Sequence, residues 1–369
     1  MHPLLILGSG PAAAAAAIAA REAGVAVTMI GRGLASDFRF GETLPPEASA
    51  ILCRIGCSDL NTLGHVRSPG VVSAWSGEVP FAADFIFSPQ CHGWHLDRAT
   101  FDRQLLDIAL DRGAELIMNV RLRSVERIDD GWVVAGDRGG EPLRKESRFL
   151  IDATGRSGWL ARRLGVERQK FDNLIAIVGF FQNASSGDAR TVLEAARDGW
   201  WYGARLPNYR SVVAYMTDVD IAAEHAAGPR GLWWERLSQA TLIPAHLALS
   251  EALSRPCETP APEMSNQLVT IRVVAAHSER LTIPQGPGWL AIGDAAGCWD
   301  PLSSQGIMTA IEGGVRGVTA AISADPHSLH EYATWFNSLW ERYRQSFTDY
   351  YGQVRRWPLS PFWVRRQSR

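Results

Sequence analysis

The chain has 369 residues, of which 46% are hydrophobic and 21% charged, and its formal net charge at pH 7 is -2. This composition is ordinary for a soluble globular protein, and the length predicts one large domain or two interlocked domains. A charge so close to zero gives no general attraction to nucleic acid or to anionic membranes, so neither is expected as a partner.

The N-terminal region predicts neither a membrane span nor a signal peptide. The longest apolar stretch, Pro11 to Ala20, is far shorter than the roughly 20 residues that a spanning helix needs. No basic segment precedes it, so a cytoplasmic location is expected. The five cysteines match no common zinc or redox spacing, and no metal site is expected.

The hydrophobic pattern predicts alternating helices and strands along most of the chain. In chain order they are a strand at 4–7, a helix at 12–23, a strand at 25–30, a helix at 47–55, strands at 71–75 and 79–87, a helix that opens at 95–98 and runs to 112, strands at 115–120, 122–128, 132–136, 148–152, 174–181, 200–206 and 211–217, a helix at 231–254, strands at 268–276 and 288–292, and helices beyond 301. Pro256, Pro260 and Pro262 predict a loop between the helix at 231–254 and the strand at 268–276.

The start of the chain predicts a dinucleotide-binding turn. The first apolar strand runs directly into Gly8-Ser9-Gly10-Pro11-Ala12-Ala13, and an alanine-rich helix follows. In this pattern Gly8 permits a tight turn, Gly10 lets the backbone approach a pyrophosphate, and Ala13 lets the helix pack closely on the strand. The helix N-terminus then offers free N–H donors to the phosphates.

The second strand departs from the usual dinucleotide pattern. An acidic residue is expected at its end, where it would bind the adenosine ribose, but the chain has Gly31-Arg32. Either Arg32 covers the adenosine side or the ribose is held from elsewhere. Because the acidic residue is missing, the turn fits a simple nicotinamide-binding site less well.

Three turns at the carboxyl ends of apolar strands therefore stand out. They are Gly8 to Ala13, Asp152 to Gly155, and Gly293-Asp294 with Pro301 and Gly306 behind it. Their order and separation resemble the FAD-dependent monooxygenases of the para-hydroxybenzoate hydroxylase type, together with their relatives, the flavin-dependent halogenases.

The resemblance implies roles for these turns in binding FAD. The first turn would hold the pyrophosphate, Asp294 would bind the ribityl chain, and the helix starting near 304–306 would aim its N-terminus at the pyrimidine edge of the flavin. Arg98 matches the family arginine near the FAD phosphates. The cofactor-binding residues predicted on this basis are Gly8, Gly10, Pro11, Ala12, Ala13, Arg32, Glu42, Arg98, Asp152, Gly155, Gly293, Asp294, Pro301, Ser304, Gly306 and Ile307.

The same resemblance implies an α/β (α+β) fold. A Rossmann-like FAD-binding domain with a parallel sheet, formed by residues 1–64, 91–170 and 286–325, would be interlocked with a mostly antiparallel β-sheet substrate domain, formed by residues 65–90 and 171–285. Residues 326–369 would form a C-terminal helical segment.

Shorter motifs narrow the resemblance to one group of flavoproteins. Gly41-Glu42-Thr43-Leu44-Pro45-Pro46 and the segment Arg355 to Trp363 are similar to halogenase-like flavoproteins. The halogenase signature Trp-x-Trp-x-Ile-Pro is absent, and its nearest counterpart is the segment Gly199 to Pro207. This variant resembles the flavoproteins that mature quinone cofactors, in particular those that hydroxylate a peptidyl tryptophan of quinohemoprotein amine dehydrogenase.

This resemblance implies an FAD-dependent monooxygenase that hydroxylates an electron-rich aromatic ring through a flavin C4a-hydroperoxide. O2 would be the second substrate, with electrons from NAD(P)H or a separate reductase. The expected substrate is a tryptophan of a partner polypeptide, the small subunit of an amine dehydrogenase-like enzyme, during quinone-cofactor biogenesis. Trp200, Trp201 and Tyr202 either line the substrate pocket or are core aromatics of a strand, and Asp300 is a candidate to assist proton transfer.

Three alternatives remain open. One is a hydroxylase of a free small aromatic compound, and another is a non-oxygenating flavoprotein that chaperones a partner protein. The third, a flavin-dependent tryptophan halogenase, needs a lysine between flavin and substrate. The chain has only Lys145 and Lys170, and neither lies in a matching motif.

The C-terminal segment is rich in arginine, with only Glu341 and Asp349 to balance it. It forms either a solvated basic face or a docking surface for an acidic partner. If it is a docking surface, truncation after Tyr351 is expected to abolish partner binding and to retain FAD. The arginines concerned are Arg342, Arg344, Arg355, Arg356, Arg365, Arg366 and Arg369.

Overall fold

The computed structural model describes residues 2–33, 40–182, 187–249 and 267–368. The strands, in chain order, are β1 (His2–Leu7), β2 (Val27–Ile30), β3 (Thr43–Leu44), β4 (Val66–Ser68), β5 (Gly70–Ala74), β6 (Phe81–Asp84), β7 (Gly93–His95), β8 (Glu115–Ile117), β9 (Val120–Ile128), β10 (Gly131–Arg138), β11 (Glu141–Asp152), β12 (Arg168–Lys170), β13 (Leu174–Gln182), β14 (Thr191–Ala196), β15 (Gly199–Leu206), β16 (Arg210–Asp218), β17 (Gln267–Ala275), β18 (Glu279–Leu281), β19 (Gln285–Gly286), β20 (Trp289–Ala291) and β21 (Gly297–Cys298). The helices are α1 (Pro11–Glu22), α2 (Ala48–Arg54), α3 (Arg98–Asp111), α4 (Trp159–Arg163), α5 (Val219–Glu224), α6 (Gly228–Gln239), α7 (Leu242–His246), α8 (Gly306–Ser323), α9 (Pro326–Gly352) and α10 (Pro361–Gln367).

A parallel sheet carries the three turns that were predicted from the sequence. Its central strands lie in the order β20-β11-β1-β2-β8, and each neighbouring pair is parallel. Leu4 to Leu7 and the whole of β2 are buried, as is typical of strands whose sheet is covered on both faces. The first half of β11 extends beyond this sheet and forms an antiparallel meander with β9 and β10. The predicted Rossmann-like parallel sheet is confirmed.

The second large sheet is mostly antiparallel, as expected. Its seven strands lie in the order β17-β13-β16-β15-β14-β5-β6, and only the β14–β5 pair is parallel. Strand β14 was not predicted, because Glu194 interrupts its apolar pattern. This glutamate is buried and accepts hydrogen bonds from the backbone N–H groups of Thr241, Leu242 and Ile243, which fixes the start of α7.

Two other predicted elements differ from the structure. The predicted strand at 79–87 is shortened to β6, and a 3₁₀ turn at Phe85–Phe87 follows it. The predicted helix at 231–254 is split into α6 and α7, because Ala240 leaves helical geometry, and its last residues lie outside the described part of the chain. The predicted loop at Pro256, Pro260 and Pro262 also lies outside it. The domain boundaries stay a prediction.

Helices α1 and α8 pack against each other through residues that have little or no side chain. A Cβ atom on Gly314 would lie 2.7 Å from Ala12 O and 2.9 Å from Ala16 N, which is closer than atoms can approach. The alanines of α1 and the glycine of α8 therefore let the two backbones meet. This contact fixes the N-termini of both helices on the same side of the parallel sheet.

The C-terminal segment is part of the core of the antiparallel sheet. Phe362 and Trp363 are fully buried and belong to the same hydrophobic cluster as Trp200. Arg366 is 1% exposed and donates to both carboxylate oxygens of Asp218 while its guanidinium lies over the Phe362 ring. This arrangement anchors α10 to β16 and to the core of the antiparallel sheet.

These contacts correct the interpretation of the arginine-rich segment as one basic face. Arg356 donates to the backbone carbonyls of Ala74, Trp75 and Ala195, and Arg365 pairs with Asp218 and Asp220. With Arg366, three of the arginines therefore stabilise the fold. Arg369 lies outside the described residues. Truncation after Tyr351 would remove buried core residues, so it cannot separate partner binding from folding.

Within the described ranges, no helix combines the length and the apolar character needed to cross a bilayer.

We expect Gly314→Ala to lower the free energy of unfolding by about 1–3 kcal/mol, because the added methyl group meets the backbone of α1. The matched control is Gly352→Ala in α9, where an added Cβ has no neighbour within 4 Å. That variant should leave stability unchanged or raise it by up to about 1 kcal/mol through helix propensity. Chemical denaturation followed by circular dichroism measures both, and equal stability of the two variants would contradict the packing.

We expect Arg366→Ala to lower the free energy of unfolding by about 3–5 kcal/mol, because it leaves the Asp218 carboxylate buried without its main partner. Arg365→Ala is the matched control, since the Arg365 side chain is 40% exposed. Its loss should cost no more than about 1 kcal/mol. The same denaturation measurement applies, and similar losses for the two neighbours would show that burial of the Arg366 pair is unimportant.

Candidate active site

A cavity of about 720 Å³ lies where the three predicted turns meet the antiparallel sheet. Its volume falls within the roughly 300–1,000 Å³ that is usual for small-molecule and cofactor sites. On the antiparallel-sheet side it is lined by Tyr202 of β15 and by Val274 to Ala276 at the end of β17. The predicted site residues in its wall are Gly8, Gly10, Pro11, Ala12, Arg32, Glu42, Arg98, Gly155, Tyr202, Asp294, Asp300, Pro301, Ser304, Gly306 and Ile307.

One end of the cavity is formed by the first turn and the N-terminus of α1. Gly8 has a φ of +136°, and a Cβ atom there would lie 2.2 Å from Ala153 O, so only glycine fits between the first and second turns. Gly10 is the N-cap of the 12-residue helix α1 and provides no side-chain cap. The first backbone N–H groups of α1 are therefore available to an anionic group in the cavity. Ala13 lies behind this surface and is fully buried.

Asp152 supports the second turn and does not line the cavity. One carboxylate oxygen accepts from Thr154 N at 3.0 Å and from Thr154 Oγ1 at 2.7 Å. The other accepts from Leu160 N at 2.9 Å, at the start of α4. Burial raises the pKa of this carboxyl. Asp152 therefore holds the turn that carries Gly155, which lines the cavity, whereas Asp152 itself does not line it.

The Gly293-Asp294 turn completes the cofactor side. Gly293 has a φ of +55°, and a Cβ atom there would lie 2.9 Å from Ala12 Cβ, so the third turn packs directly on the first. Gly293 itself is not in the wall, whereas Asp294 is. Its Oδ2 lies 3.9 Å from Nε of Arg156, a wall residue that was not predicted from the sequence. The available signal was its position directly after the second turn.

Arginines provide positive charge along this wall. Arg32, Arg98 and Arg156 all line the cavity. Arg98 forms an ion pair with Asp102 at 3.2 Å and donates to Gly41 O at 2.8 Å, which orients its guanidinium. Guanidinium groups and uncapped helix N-termini are the usual partners of phosphate oxygens.

The start of α8 forms another part of the cavity wall. Ser304 is left-handed, with a φ of +50°, and the helix then begins at Gly306 with no side-chain cap from Gln305. Ser304, Gly306 and Ile307 all line the cavity, so the positive end of a second helix faces it. Two uncapped helix N-termini, three arginines and the cavity volume together fit a dinucleotide cofactor such as FAD.

The three predicted aromatic residues of β15 have different positions because side chains alternate along a strand. Trp201 is fully buried on the face that packs against α6, where its ring contacts Trp233. Trp200 lies on the other face and donates from Nε1 to the Tyr351 hydroxyl at 2.9 Å. Neither tryptophan lines the cavity, so the expectation that they form the substrate pocket is corrected. Tyr202 alone of the three is in the wall.

Asp300 is in the wall, but both of its carboxylate oxygens have protein partners. Oδ1 accepts from Leu302 N, and Oδ2 accepts from the Tyr351 hydroxyl, each at 2.9 Å. Burial and the nearby Asp172 carboxylate raise the pKa of Asp300 to about 7. Because Trp200 donates to the same Tyr351 hydroxyl, a buried chain of hydrogen bonds joins β15 through α9 to this turn.

Glu42 is the other buried carboxyl in the wall and is 1% exposed. Oε2 accepts from Gly41 N at 2.9 Å, whereas Oε1 has no hydrogen-bond partner. Burial raises the pKa of this carboxyl to about 7, although Arg98 lies nearby. The next residue, Thr43, shares a hydrogen bond of 2.6 Å with the Tyr202 hydroxyl and also lines the cavity, so it joins Arg156 among the wall residues that were not predicted from the sequence.

Comparisons with known proteins agree with this geometry. No protein-family model matches the chain. The chain is 27% identical over 374 residues to the putative FAD-dependent oxidoreductase LodB of Marinomonas mediterranea, and the alignment covers 100% of this chain and 97% of LodB.

Two solved structures are similar in fold. The flavin-dependent halogenase CmlS has a TM-score of 0.86 and 26% identity over 99% of this chain and 67% of its own. QhpG, a peptidyl tryptophan dihydroxylase essential for tryptophylquinone cofactor biogenesis, has a TM-score of 0.78 and 24% identity over 100% of this chain and 79% of its own. These likenesses confirm the predicted α/β architecture. Together with the cavity wall, they identify the chain as a flavin-dependent oxidoreductase of the halogenase-like FAD oxidoreductase superfamily.

Proposed function

We propose that the chain is an FAD-dependent monooxygenase that hydroxylates a tryptophan side chain of a partner polypeptide during quinone-cofactor biogenesis. The observation that carries this proposal is the composition of the cavity wall. A halogenase needs a lysine between flavin and substrate, but the two lysines of the chain, Lys145 on β11 and Lys170 on β12, do not line the cavity. The likeness to QhpG supports a peptidyl tryptophan as the substrate.

The wall has partners for the diphosphate and for the ribityl chain of FAD. The N-terminus of α1, with Arg98 and Arg156, would bind the diphosphate, and Asp294 would bind the ribityl chain. When bound and reduced with electrons from NAD(P)H or a separate reductase, FAD supplies activation of O2 and transfer of an oxygen atom to the ring. An electron-rich indole reacts without prior deprotonation, so the wall needs no strong base.

The substrate side of the wall excludes water and holds the ring. Phe40, Val274, Trp299 and Pro301 are apolar residues in this wall, and a dry surface limits side reactions with water. Burial raises the pKa of the Asp300 carboxyl to about 7, and its Oδ2 accepts from the Tyr351 hydroxyl. It is therefore placed to exchange a proton when the hydroxylated ring loses one.

A flavin-dependent halogenase is the second candidate, because CmlS matches this chain with the higher TM-score. The two candidates differ in the atom that is added to the aromatic ring. They are separated by intact-mass analysis of a tryptophan-containing partner polypeptide after incubation with reduced enzyme, O2 and bromide.

In this assay we expect the peptide to gain one or two oxygen atoms on tryptophan, and no bromine. Gain of bromine would support the halogenase instead. An unmodified peptide that nevertheless binds the holoenzyme would contradict oxygenation and favour a chaperone. Reaction of a free small aromatic, with no reaction of the peptide, would point to a small-molecule hydroxylase.

The raised pKa of Asp300 also predicts that the stability of the protein depends on pH. Its pKa is raised from 3.8 to about 7, so between these values the native state holds a proton that the unfolded chain has lost. The free energy of unfolding therefore decreases as the pH rises from about 4 to about 7, by up to about 1.4 kcal/mol per pH unit for one proton. In Asp300→Asn this decrease should be smaller, because the amide keeps a carbonyl for Leu302 N and does not ionise.

The decrease is measured by denaturant unfolding at a series of pH values. The control is Asp349→Asn at an exposed position of α9, which makes the same chemical substitution at a carboxyl that is not buried. An identical pH dependence in the wild type and Asp300→Asn would contradict the assigned protonation of Asp300.

A further inference from the structure

The free oxygen of Glu42 has no role within the described protein structure. The backbone of this residue is fixed, because Leu96 N donates to Glu42 O at 2.8 Å and Gly41 N donates to Oε2. Oε1 is buried and has no partner. A buried acceptor without a donor costs free energy, so such atoms in native structures usually serve a ligand, a water molecule or a catalytic role.

Among the described residues, two other carboxyl groups line the cavity, and they differ from Glu42 in their hydrogen bonds or their exposure. Asp300 already uses both oxygens, for Leu302 N and the Tyr351 hydroxyl. Asp294 lies at the third turn, close to α1 and Arg156, and its side chain is 41% exposed. Glu42 therefore offers a buried, unused acceptor on the side of the cavity where the antiparallel sheet forms the wall.

Two aromatic residues line the cavity together with Glu42. The ring centroids of Phe40 and Tyr202 are 5.8 Å apart and their planes lie at 84°. Burial raises the pKa of Tyr202, and the Glu42 carboxyl is near enough to raise it further. The Tyr202 hydroxyl is already paired with Thr43 Oγ1 at 2.6 Å. Two aromatic rings and one unused acceptor in the same cavity wall fit a flat aromatic group that has a single donor.

The charges near Glu42 disfavour a cationic group at this point. Arg98 and Arg210 both lie close enough to lower the pKa of the Glu42 carboxyl, although burial outweighs them and raises it to about 7. Both arginines hydrogen-bond other carboxylates, Asp102 and Asp97 respectively. They leave Glu42 Oε1 free and repel a positively charged ligand, so a neutral N–H donor is the best complement.

We propose that Glu42 Oε1 accepts a hydrogen bond from the indole N–H of the substrate, and that it selects aromatic rings carrying a neutral donor. This inference rests on the proposed function for the identity of the ring, and it adds a specificity-determining contact to it.

The test measures binding separately from chemistry. The oxidised holoenzyme is titrated with a tryptophan-containing peptide and with the same peptide carrying benzothienylalanine, whose sulfur replaces the indole N–H. We expect the wild type to bind the tryptophan peptide more tightly, on the order of 10- to 100-fold, because the thiophene sulfur leaves the buried Glu42 acceptor without a donor. Glu42→Met, which is apolar and of similar length, should reduce this ratio to about 1.

The matched control is Glu47→Met, the same substitution at an exposed position five residues away that has no side-chain cap role at the start of α2. It should keep the wild-type ratio. The dissociation constant of FAD, measured by flavin fluorescence, should be unchanged in Glu42→Met. A ratio that persists in Glu42→Met overturns the inference, and so does weaker FAD binding with an unchanged ratio, which would assign the oxygen to FAD.

Hydroxylation is measured separately by intact mass. If the wild type prefers the tryptophan peptide but adds no oxygen to it, the contact is supported and the proposed function fails. If the wild type binds both peptides equally tightly and adds oxygen to both, the proposed function is supported and the contact is overturned. If neither peptide binds, the inference is overturned.

Discussion

The first turn of the chain packs against the second and third turns so closely that a side chain at Gly8 or Gly293 would not fit. The shape of the cavity depends on this contact. A Cβ on Gly8 would meet Ala153 O at 2.2 Å, and one on Gly293 would meet Ala12 Cβ at 2.9 Å. Glycine at both positions therefore allows three segments that are distant in sequence to share one edge of the parallel sheet. The N-terminus of α1 faces the cavity because these contacts leave it no other orientation.

A second constraint joins the antiparallel sheet to that edge. Trp200 donates to the Tyr351 hydroxyl, and Tyr351 donates to Asp300, which in turn fixes Leu302 at the turn before α8. All of these groups except Leu302 are buried, so breaking one link leaves a polar group without a partner. The C-terminal helices therefore determine how the substrate side of the cavity is placed relative to the cofactor side. Three of the C-terminal arginines, Arg356, Arg365 and Arg366, take part in contacts that hold this segment on the fold.

The parts of the fold that depend on close backbone approach could be predicted from the sequence. Gly8 and Gly293 could be recognised because a glycine directly after an apolar strand is typical of a tight turn, and the two sheets followed from periodicity and from the family resemblance. The positions of Trp200 and Trp201 could not be predicted, because alternation shows that they lie on opposite faces but not what covers each face. Strand β14 was hidden by Glu194, whose burial depends on a helix start distant in the chain. Such contacts arise only when the tertiary structure forms.

Two buried carboxyl groups in the cavity wall, Glu42 and Asp300, differ in their hydrogen bonds. Glu42 and Asp300 are both 1% exposed, and burial raises the pKa of each to about 7. Their protonation therefore does not distinguish them. Asp300 has a donor for each oxygen and fixes a turn, whereas Glu42 keeps one oxygen unused beside two aromatic rings. Because the described wall contains no lysine and its arginines stay protonated, no amine there can act on a bound ring. In the proposed function, reactivity therefore comes from the cofactor, and the protein determines which ring is held beside it.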